Sequence, residues 1–332
     1  MSTLPTKHTS SKPKVALYWA ASCGGCEIAM LDLDDKILDV ITTVDLIFWP
    51  VALDTKYSDI ENMPDHSIDV CLFNGAIRTT ENEHMARLLR QKSKTLIAFG
   101  ACATSGGIPG LSNLTTKKDT LTTAYLDNPS TPNPNKTLPQ PTSKAKEGTL
   151  TIPDLHETVK TLNQVVDVDY YLPGCPPPTT LIIDALTAIT TGKLPEKGSI
   201  LAPLKSVCDD CRFKQSDKKI TQVKRLYELD TIEDKCFLDQ GVVCLGPATR
   251  SGCQARCMNA NAPCTGCGGP LPNALDQGAG MITALASILG IDTEDKTSDQ
   301  DLDTLLAKIN DLAGTFYKYT LPASLLHKRR TP

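Results

Sequence analysis

Residues 15–26 read VALYWAASCGGC, a short apolar run that is followed at once by two cysteines. Such a short continuous run, bounded by Ser and Gly, is typical of a buried strand. Similar runs recur along the first part of the chain, and the predicted strands are Val15–Ala20, Val44–Val51, Ile68–Asn74, Thr95–Gly100 and Val166–Leu172. Helical spacing separates them, and the predicted helices cover about Met30–Ile41, Glu83–Gln91 and Pro178–Thr190.

Alternation of strands and helices, with continuous apolar strands, indicates a parallel sheet that helices cover on both faces. We therefore predict an α/β, flavodoxin-like doubly wound domain over residues 14–202, after a flexible N-terminus at residues 1–13. A proline-rich stretch at about 127–148 interrupts the pattern, and we interpret it as a surface insertion without strand or helix. Residues 203–332 form a second, smaller and irregular domain.

The composition excludes some functions and draws attention to the cysteines. A net charge of −4 and a pI near 5.8 do not indicate a nucleic-acid partner. The first residues contain no export signal, and no apolar stretch is long enough to span a membrane, so we expect a cytoplasmic chain with reduced thiols.

Thirteen cysteines are an odd number that cannot all form disulfides, and in this setting clustered cysteines usually bind metal or do redox chemistry.

Four cysteines directly follow predicted strands: Cys23 and Cys26 after the first, Cys102 after Thr95–Gly100, and Cys175 after the last. Carboxyl ends of parallel strands meet at one edge of the sheet, so these four side chains should converge there. Four thiolates are the ligands of a 4Fe–4S cluster.

Other interpretations of these cysteines are open. Cys23 and Cys26 could form a thioredoxin-like dithiol, although this leaves Cys102 and Cys175 without a role. An all-cysteine zinc site is a further alternative, although structural zinc sites usually use closely spaced pairs. Cys71 lies in the middle of a predicted strand, and we interpret it as a small core residue.

Eight more cysteines lie between residues 208 and 267, where strand and helix patterns are weak. We expect metal, and not an apolar core, to hold this region together. No histidine occurs between residues 157 and 326, and eight cysteines match two 4Fe–4S clusters. Zinc ribbons would need more CxxC pairs than this region has. Since no P-loop, GxGxxG, HExxH or GxSxG motif is present, we predict that the chain carries electrons between clusters.

Several motifs resemble those of the small subunit of NiFe hydrogenases, and the resemblance extends from about Lys14 to Ile291. They are CGGC at residues 23–26, GAC at 100–102, GCPP at 174–177, CLGPATRSGC at 244–253 and CTGCGGP at 264–270. The resemblance implies that the NiFe centre lies on a separate large subunit and that this chain contains no catalytic residue of its own.

The same resemblance implies three 4Fe–4S clusters and their ligands. The proximal cluster would be held by Cys23, Cys26, Cys102 and Cys175. The medial cluster would be held by Cys253, Cys257, Cys264 and Cys267, where many family members have three cysteines and a 3Fe–4S cluster. The distal cluster would be held by Cys208, Cys211, Cys236 and Cys244, with Cys208 in the place of a family histidine.

Within the family, the pattern is most similar to the methyl-viologen-reducing, factor-420-non-reducing hydrogenase that works with heterodisulfide reductase in methanogenesis. Its partners would be the large subunit and an iron–sulfur or flavin subunit linked to heterodisulfide reductase. The alternative inside the family is the small subunit of a deazaflavin-coenzyme-reducing hydrogenase. Outside it, the alternatives are a structural zinc-binding protein and a stand-alone thiol oxidoreductase. Glu27, at a predicted helix start, is expected to cap that helix.

Overall fold

The computed structural model describes residues 12–216, 220, 222–289, 300, 303, 307–309 and 311–328. The flexible N-terminus predicted at residues 1–13 therefore lies, as far as residue 11, outside the described residues. Among the helices of the described part, none combines the length and the apolar composition that crossing a membrane requires.

A five-stranded parallel sheet forms the centre of the first part of the chain. The strands of the whole structure are β1 (Lys14–Trp19), β2 (Asp45–Phe48), β3 (Ile68–Asn74), β4 (Ile77–Thr79), β5 (Ser93–Phe99), β6 (Thr142–Ala145), β7 (Gly148–Thr151), β8 (Leu155–Lys160) and β9 (Tyr170–Leu172). The central sheet has the order β2-β1-β3-β5-β9, and all of its strands are parallel. This is the flavodoxin-like order, so the predicted fold is confirmed.

Helices flank the sheet and continue into the C-terminal part. They are α1 (Gly25–Leu31), α2 (Lys36–Thr43), α3 (Tyr57–Glu61), α4 (Thr80–Lys92), α5 (Ala101–Ser105), α6 (Lys117–Tyr125), α7 (Thr179–Thr190), α8 (Val207–Asp210), α9 (Arg256–Asn259), α10 (Gln277–Leu289) and a last short helix, Leu312–Phe316. The predicted helix over Met30–Ile41 is in fact two helices, because the chain turns between α1 and α2.

Alternate residues of the strands pack on opposite faces of the sheet. Val15 and Leu17 of β1 lie in a core with α1 and α7, whereas Ala16 and Tyr18 lie in a second core with α4. Each large side chain buried in this way contributes about 1.5–3 kcal/mol to folding. Cys71 belongs to the second core and is 0% exposed, which confirms that it is a core residue.

The proline-rich insertion contains a strand that the sequence did not predict. Thr142–Ala145 pairs in antiparallel fashion with Gly148–Thr151 in an exposed two-stranded hairpin. The prediction of a segment without strands is therefore wrong at its end. Since both strands are exposed along their whole length, they have no alternation of apolar and polar residues that would have predicted them.

The C-terminal part has its own apolar core, so the expectation that metal alone holds it together is wrong. Phe213 and Phe237 pack edge to face with ring centroids 5.8 Å apart, and Met281 and Leu285 of α10 belong to the same core. Most of its members come from turns and single-turn helices, which have no periodicity to recognise.

Residues 319–327 contact the part of the chain that contains the central sheet. The carbonyl of Tyr319 accepts a hydrogen bond from the backbone N–H of Gly107 at 3.0 Å. Gln164 donates through Nε2 to the carbonyl of Pro322 at 2.9 Å, and Asn113 donates to the carbonyl of His327 at 2.9 Å. Residues 319–327 therefore lie against the sheet domain.

Candidate metal centres

The first group of cysteines lies at the carboxyl edge of the central sheet. Cys23 and Cys26 follow β1, Cys102 lies in α5 directly after β5, and Cys175 follows β9. A hydrogen bond of 2.7 Å from the N–H of Ala101 to the carbonyl of Gly174 holds the last two loops together. The structure thus brings together the four cysteines that the strand ends predicted.

Two glycines allow this close approach. A Cβ atom on Gly100 would overlap the Sγ of Cys26, and one on Gly107 would lie 2.5 Å from the Sγ of Cys102. Gly100 also has a φ of 86°, which L side chains rarely adopt. Only glycine at these positions leaves room for the sulfur atoms and for a group bound to them.

Two thiols of this group, those of Cys26 and Cys102, are buried, whereas Cys23 is exposed. Burial, and then the nearby charges of Cys102, Cys175 and Cys23, raise the pKa of Cys26. Burial likewise raises the pKa of Cys102 to about 12. Thiols of this kind stay protonated on their own and become thiolates when they bind a positively charged metal group.

A second group surrounds a cavity of about 200 Å³ beside the Cys175 loop. Its cysteines are Cys253, Cys257, Cys264 and Cys267, and Gly174 and Pro176 of the first group's loop line the same cavity. Burial raises the pKa of Cys267 to about 11, with smaller contributions from the charges of Cys253 and Cys257.

A third group surrounds a cavity of about 100 Å³ and consists of Cys208, Cys211, Cys236 and Cys244. Burial, followed by the charges of Cys244, Cys236 and Cys211, raises the pKa of Cys208 to about 12. A Cβ atom on Gly246 would lie 3.0 Å from the Sγ of Cys208, so a glycine again provides space beside the sulfurs.

Backbone N–H groups donate hydrogen bonds to sulfur in the first and third groups. The Sγ of Cys23 accepts from the N–H of Gly25 at 3.4 Å. The Sγ of Cys244 accepts from the N–H of Cys264 at 3.2 Å, and this bond joins the second and third groups.

The three groups fit clusters better than single ions. Within the described ranges, no set of three or more His, Cys, Asp or Glu side chains is close enough to hold one metal ion. A tetrahedral zinc would need its sulfurs only roughly 3.8 Å apart, given Zn–S bonds of about 2.3 Å. A 4Fe–4S cluster binds each thiolate to a different iron and so needs four sulfurs around a larger space.

Glu27, in the first turn of α1, has a buried side chain that is 5% exposed. Its carboxylate accepts hydrogen bonds from Nε1 of Trp49 and, at 3.2 Å, from Nδ2 of Asn74. Desolvation raises its pKa above the usual range of a glutamate. Glu27 does lie in the first turn of α1, as predicted, but its hydrogen-bond partners are distant in sequence and hold the side chain in the core.

Two further residues near the cysteine groups were not identified from the sequence. Arg250 lines the second cavity and is 3% exposed. Tyr319 places its hydroxyl 3.2 Å from Oγ1 of Thr265, in the loop between Cys264 and Cys267. One signal was available for Arg250, since it is the only charged residue in the stretch from Cys244 to Cys253.

Comparison with known proteins identifies the family. Residues 23–189 match the family model described as the NADH ubiquinone oxidoreductase 20 Kd subunit. The iron–sulfur subunit of the F420-non-reducing hydrogenase of Archaeoglobus profundus is 41% identical over 322 residues, covering 95% of this chain and 98% of that protein. The corresponding subunit of the F420-non-reducing hydrogenase of Methanothermobacter thermautotrophicus is 37% identical, covering 96% and 97%.

A solved structure supports the fold, and the two near-full-length relatives confirm the resemblance drawn from the cysteine motifs. The H2-activated NiFeSe hydrogenase of Dm. baculatum contains a chain that superimposes with a TM-score of 0.50 at 20% identity, covering 80% of this chain and 97% of that one. The chain belongs to the small subunits of NiFe hydrogenases, among those of the F420-non-reducing type, and it is a hydrogenase subunit.

Proposed function

We propose that this chain carries electrons between the large subunit's NiFe centre and an acceptor through three 4Fe–4S clusters. The proximal ligands are Cys23, Cys26, Cys102 and Cys175. The medial ligands are Cys253, Cys257, Cys264 and Cys267. The distal ligands are Cys208, Cys211, Cys236 and Cys244. The observation that carries the proposal is the serial arrangement of three groups of four cysteines. Gly174 and Pro176, on either side of Cys175, line the cavity of the second group, and the N–H of Cys264 in the second group donates a hydrogen bond to the Sγ of Cys244 in the third.

The three cysteine groups have features that suit electron transfer through bound clusters. A 4Fe–4S cluster, when bound, accepts and gives up one electron, with a potential set by hydrogen bonds to sulfur and by exposure. The hydrogen bonds from backbone N–H groups to the Sγ of Cys23 and of Cys244 are of this kind. Each group has one exposed cysteine, namely Cys23, Cys257 and Cys208, so the first and last groups both reach the surface, where electrons can enter and leave.

The type of hydrogenase to which the similar proteins belong indicates the electron acceptor. The similar proteins belong to hydrogenases that do not reduce F420, which favours the methyl-viologen-reducing type over the deazaflavin-coenzyme-reducing type. We assign the acceptor to an iron–sulfur or flavin subunit linked to heterodisulfide reductase, in the cytoplasm. Hydrogen oxidation would deliver electrons to the proximal group, and the distal group would pass them on.

Two alternatives from other classes are less consistent with the geometry. A structural zinc protein needs a tight set of ligands around one ion, which the described residues do not provide. A stand-alone thiol oxidoreductase would use Cys23 and Cys26 alone and would leave two further four-cysteine groups without a role.

The test is metal analysis of the anaerobically purified complex with its co-purifying chains identified. About twelve irons and matching sulfide on this chain, with nickel on a large-subunit partner, would support the proposal. About four irons would limit the chain to one cluster, and zinc in place of iron would leave a structural role. Either of these results would contradict the three-cluster proposal.

A further inference from the structure

Arg250 is a buried cation that has no anionic partner among the described residues. Its side chain is 3% exposed, and its Nη1 donates to the carbonyl of Pro203 at 3.2 Å. Its Nε has no hydrogen-bond partner in the part of the chain that the structure describes. The ion pairs of the described carboxylates, such as those of Asp169 and Asp210, go to other cations. The described residues therefore bury a guanidinium and leave its charge uncompensated.

A buried charge of this kind is costly unless something neutralises it. Arginine does not solve the problem by losing its proton, because its guanidinium stays charged in proteins. Burial does lower the pKa of Arg250, which shows the same unfavourable environment. An anion that the protein atoms alone do not supply would remove this cost.

The surroundings of Arg250 indicate which anion this is. Arg250 lines the cavity of about 200 Å³ around Cys253, Cys257, Cys264 and Cys267. The other charged residues of that lining are Asp32 and Arg256, and both are exposed. Arg250 is thus the buried cation beside four thiols whose thiolates, together with an iron–sulfur core, carry net negative charge.

We propose that Arg250 is the counter-charge of the medial cluster and raises its reduction potential. This inference rests on the proposed function, since it requires a cluster at the medial cysteines. Negative charge at this site increases by one on reduction, and a fixed cation nearby stabilises the reduced state more than the oxidised state. No proton has to accompany the electron, because the arginine is already charged.

The position of Arg250 also suits electron transfer between the proximal and medial groups. The cavity it lines includes Gly174 and Pro176, which flank the proximal ligand Cys175. Its backbone N–H donates to the carbonyl of Gly269 at 3.0 Å, two residues after Cys267. A cation at this junction favours movement of an electron from the proximal group to the medial group.

The experiment compares R250Q and R250K in the assembled complex. Iron and sulfide are measured first, and the midpoint potential of each cluster is then determined by redox titration followed by EPR. We expect R250Q to shift the midpoint potential of the medial cluster to a more negative value. R250K keeps the charge and should shift the same potential less. R87Q is the matched control, because Arg87 is an exposed arginine of α4 that pairs with Glu83 at 2.7 Å, lines neither cysteine cavity and should leave that potential unchanged.

Each outcome decides the inference. Full iron content with unchanged potentials in R250Q would overturn it. If R250Q loses iron but R250K retains it, the positive charge is required at this position. Equal loss of iron in both variants would show that Arg250 acts only through packing and would contradict the inference. Failure of the proposed function is distinguishable, since the wild-type complex would then contain fewer than three clusters before any substitution is made.

Discussion

The backbone N–H of Cys264 donates a hydrogen bond to the Sγ of Cys244 over 3.2 Å. The two residues belong to different four-cysteine groups, so this bond connects the proposed medial and distal clusters directly. The proximal and medial groups meet at the Cys175 loop, because Gly174 and Pro176 line the cavity around the medial cysteines. Successive groups are therefore adjacent, which gives electrons a short route between them.

Replacement of Gly100 by Ala should remove the proximal cluster. The new Cβ would overlap the Sγ of Cys26, and alanine is strained at a φ of 86°. We expect the variant to lose about four of roughly twelve irons in metal analysis. Gly280→Ala is the control, since its Cβ meets nothing within 4 Å and alanine favours the helix. Equal iron in both variants would show that Gly100 is not part of a cluster site.

Replacement of Cys236 by Ala should affect iron content, whereas replacement of Cys71 should not. Cys236 lines the third cavity, but Cys71 lies fully buried in β3 with no other cysteine in its core. We expect Cys236→Ala to lose about four irons and Cys71→Ala to keep them all. Cys71→Ala should lower the unfolding free energy by only about 1 kcal/mol, because a small buried group is removed. Iron loss in Cys71→Ala would contradict this distinction.

The sequence predicted the parts of the site that depend on sheet topology. Parallel strands bring their carboxyl ends to one edge whatever the details of packing, so the meeting of Cys23, Cys102 and Cys175 followed from strand order. β3 was predicted with its observed bounds, Ile68–Asn74, because it is continuously apolar.

Features that depend on tertiary packing were not predictable in this way. Glu27 is buried because Trp49 and Asn74, 22 and 47 residues away in the chain, meet its carboxylate. The contact of Cys264 with Cys244 and the burial of Arg250 depend on an irregular core in which no period defines a face. No local pattern in the sequence specifies such contacts.

Replacement of Asp169 by Asn should destabilise the sheet domain and reduce its pH dependence. Although desolvation opposes it, hydrogen bonds from Arg90 at 2.6 Å, Lys197 and the N–H of Leu96 lower the pKa of Asp169. We expect a loss of roughly 2 kcal/mol in unfolding free energy near pH 7, since the carboxylate is buried but water screens Lys197.

The sign of the pH effect follows from the lowered pKa. The carboxylate contributes its stability above the unfolded pKa of about 3.9, and that contribution disappears as the pH falls through the lower folded pKa. The difference in unfolding midpoint between wild type and variant should therefore shrink on acidification. Asp154→Asn, at an exposed pair with Lys117, is the control and should change little. A difference that stays constant with pH would show that the effect is not electrostatic.

Deletion of residues 318–332 should make the clusters more sensitive to oxygen. This segment carries Tyr319, whose hydroxyl meets Thr265 at 3.2 Å, and Pro322, whose carbonyl accepts from Gln164 at 2.9 Å. Its removal would expose the loops around Cys102 and Cys267 to solvent. It would also remove the hydrogen bond from the N–H of Gly107 to the carbonyl of Tyr319. We expect faster loss of visible absorbance in air than in the wild-type complex, with full iron content before exposure. A shorter deletion that keeps the chain through residue 328 retains these contacts, so equal rates in the two deletions would show that the segment does not protect the clusters.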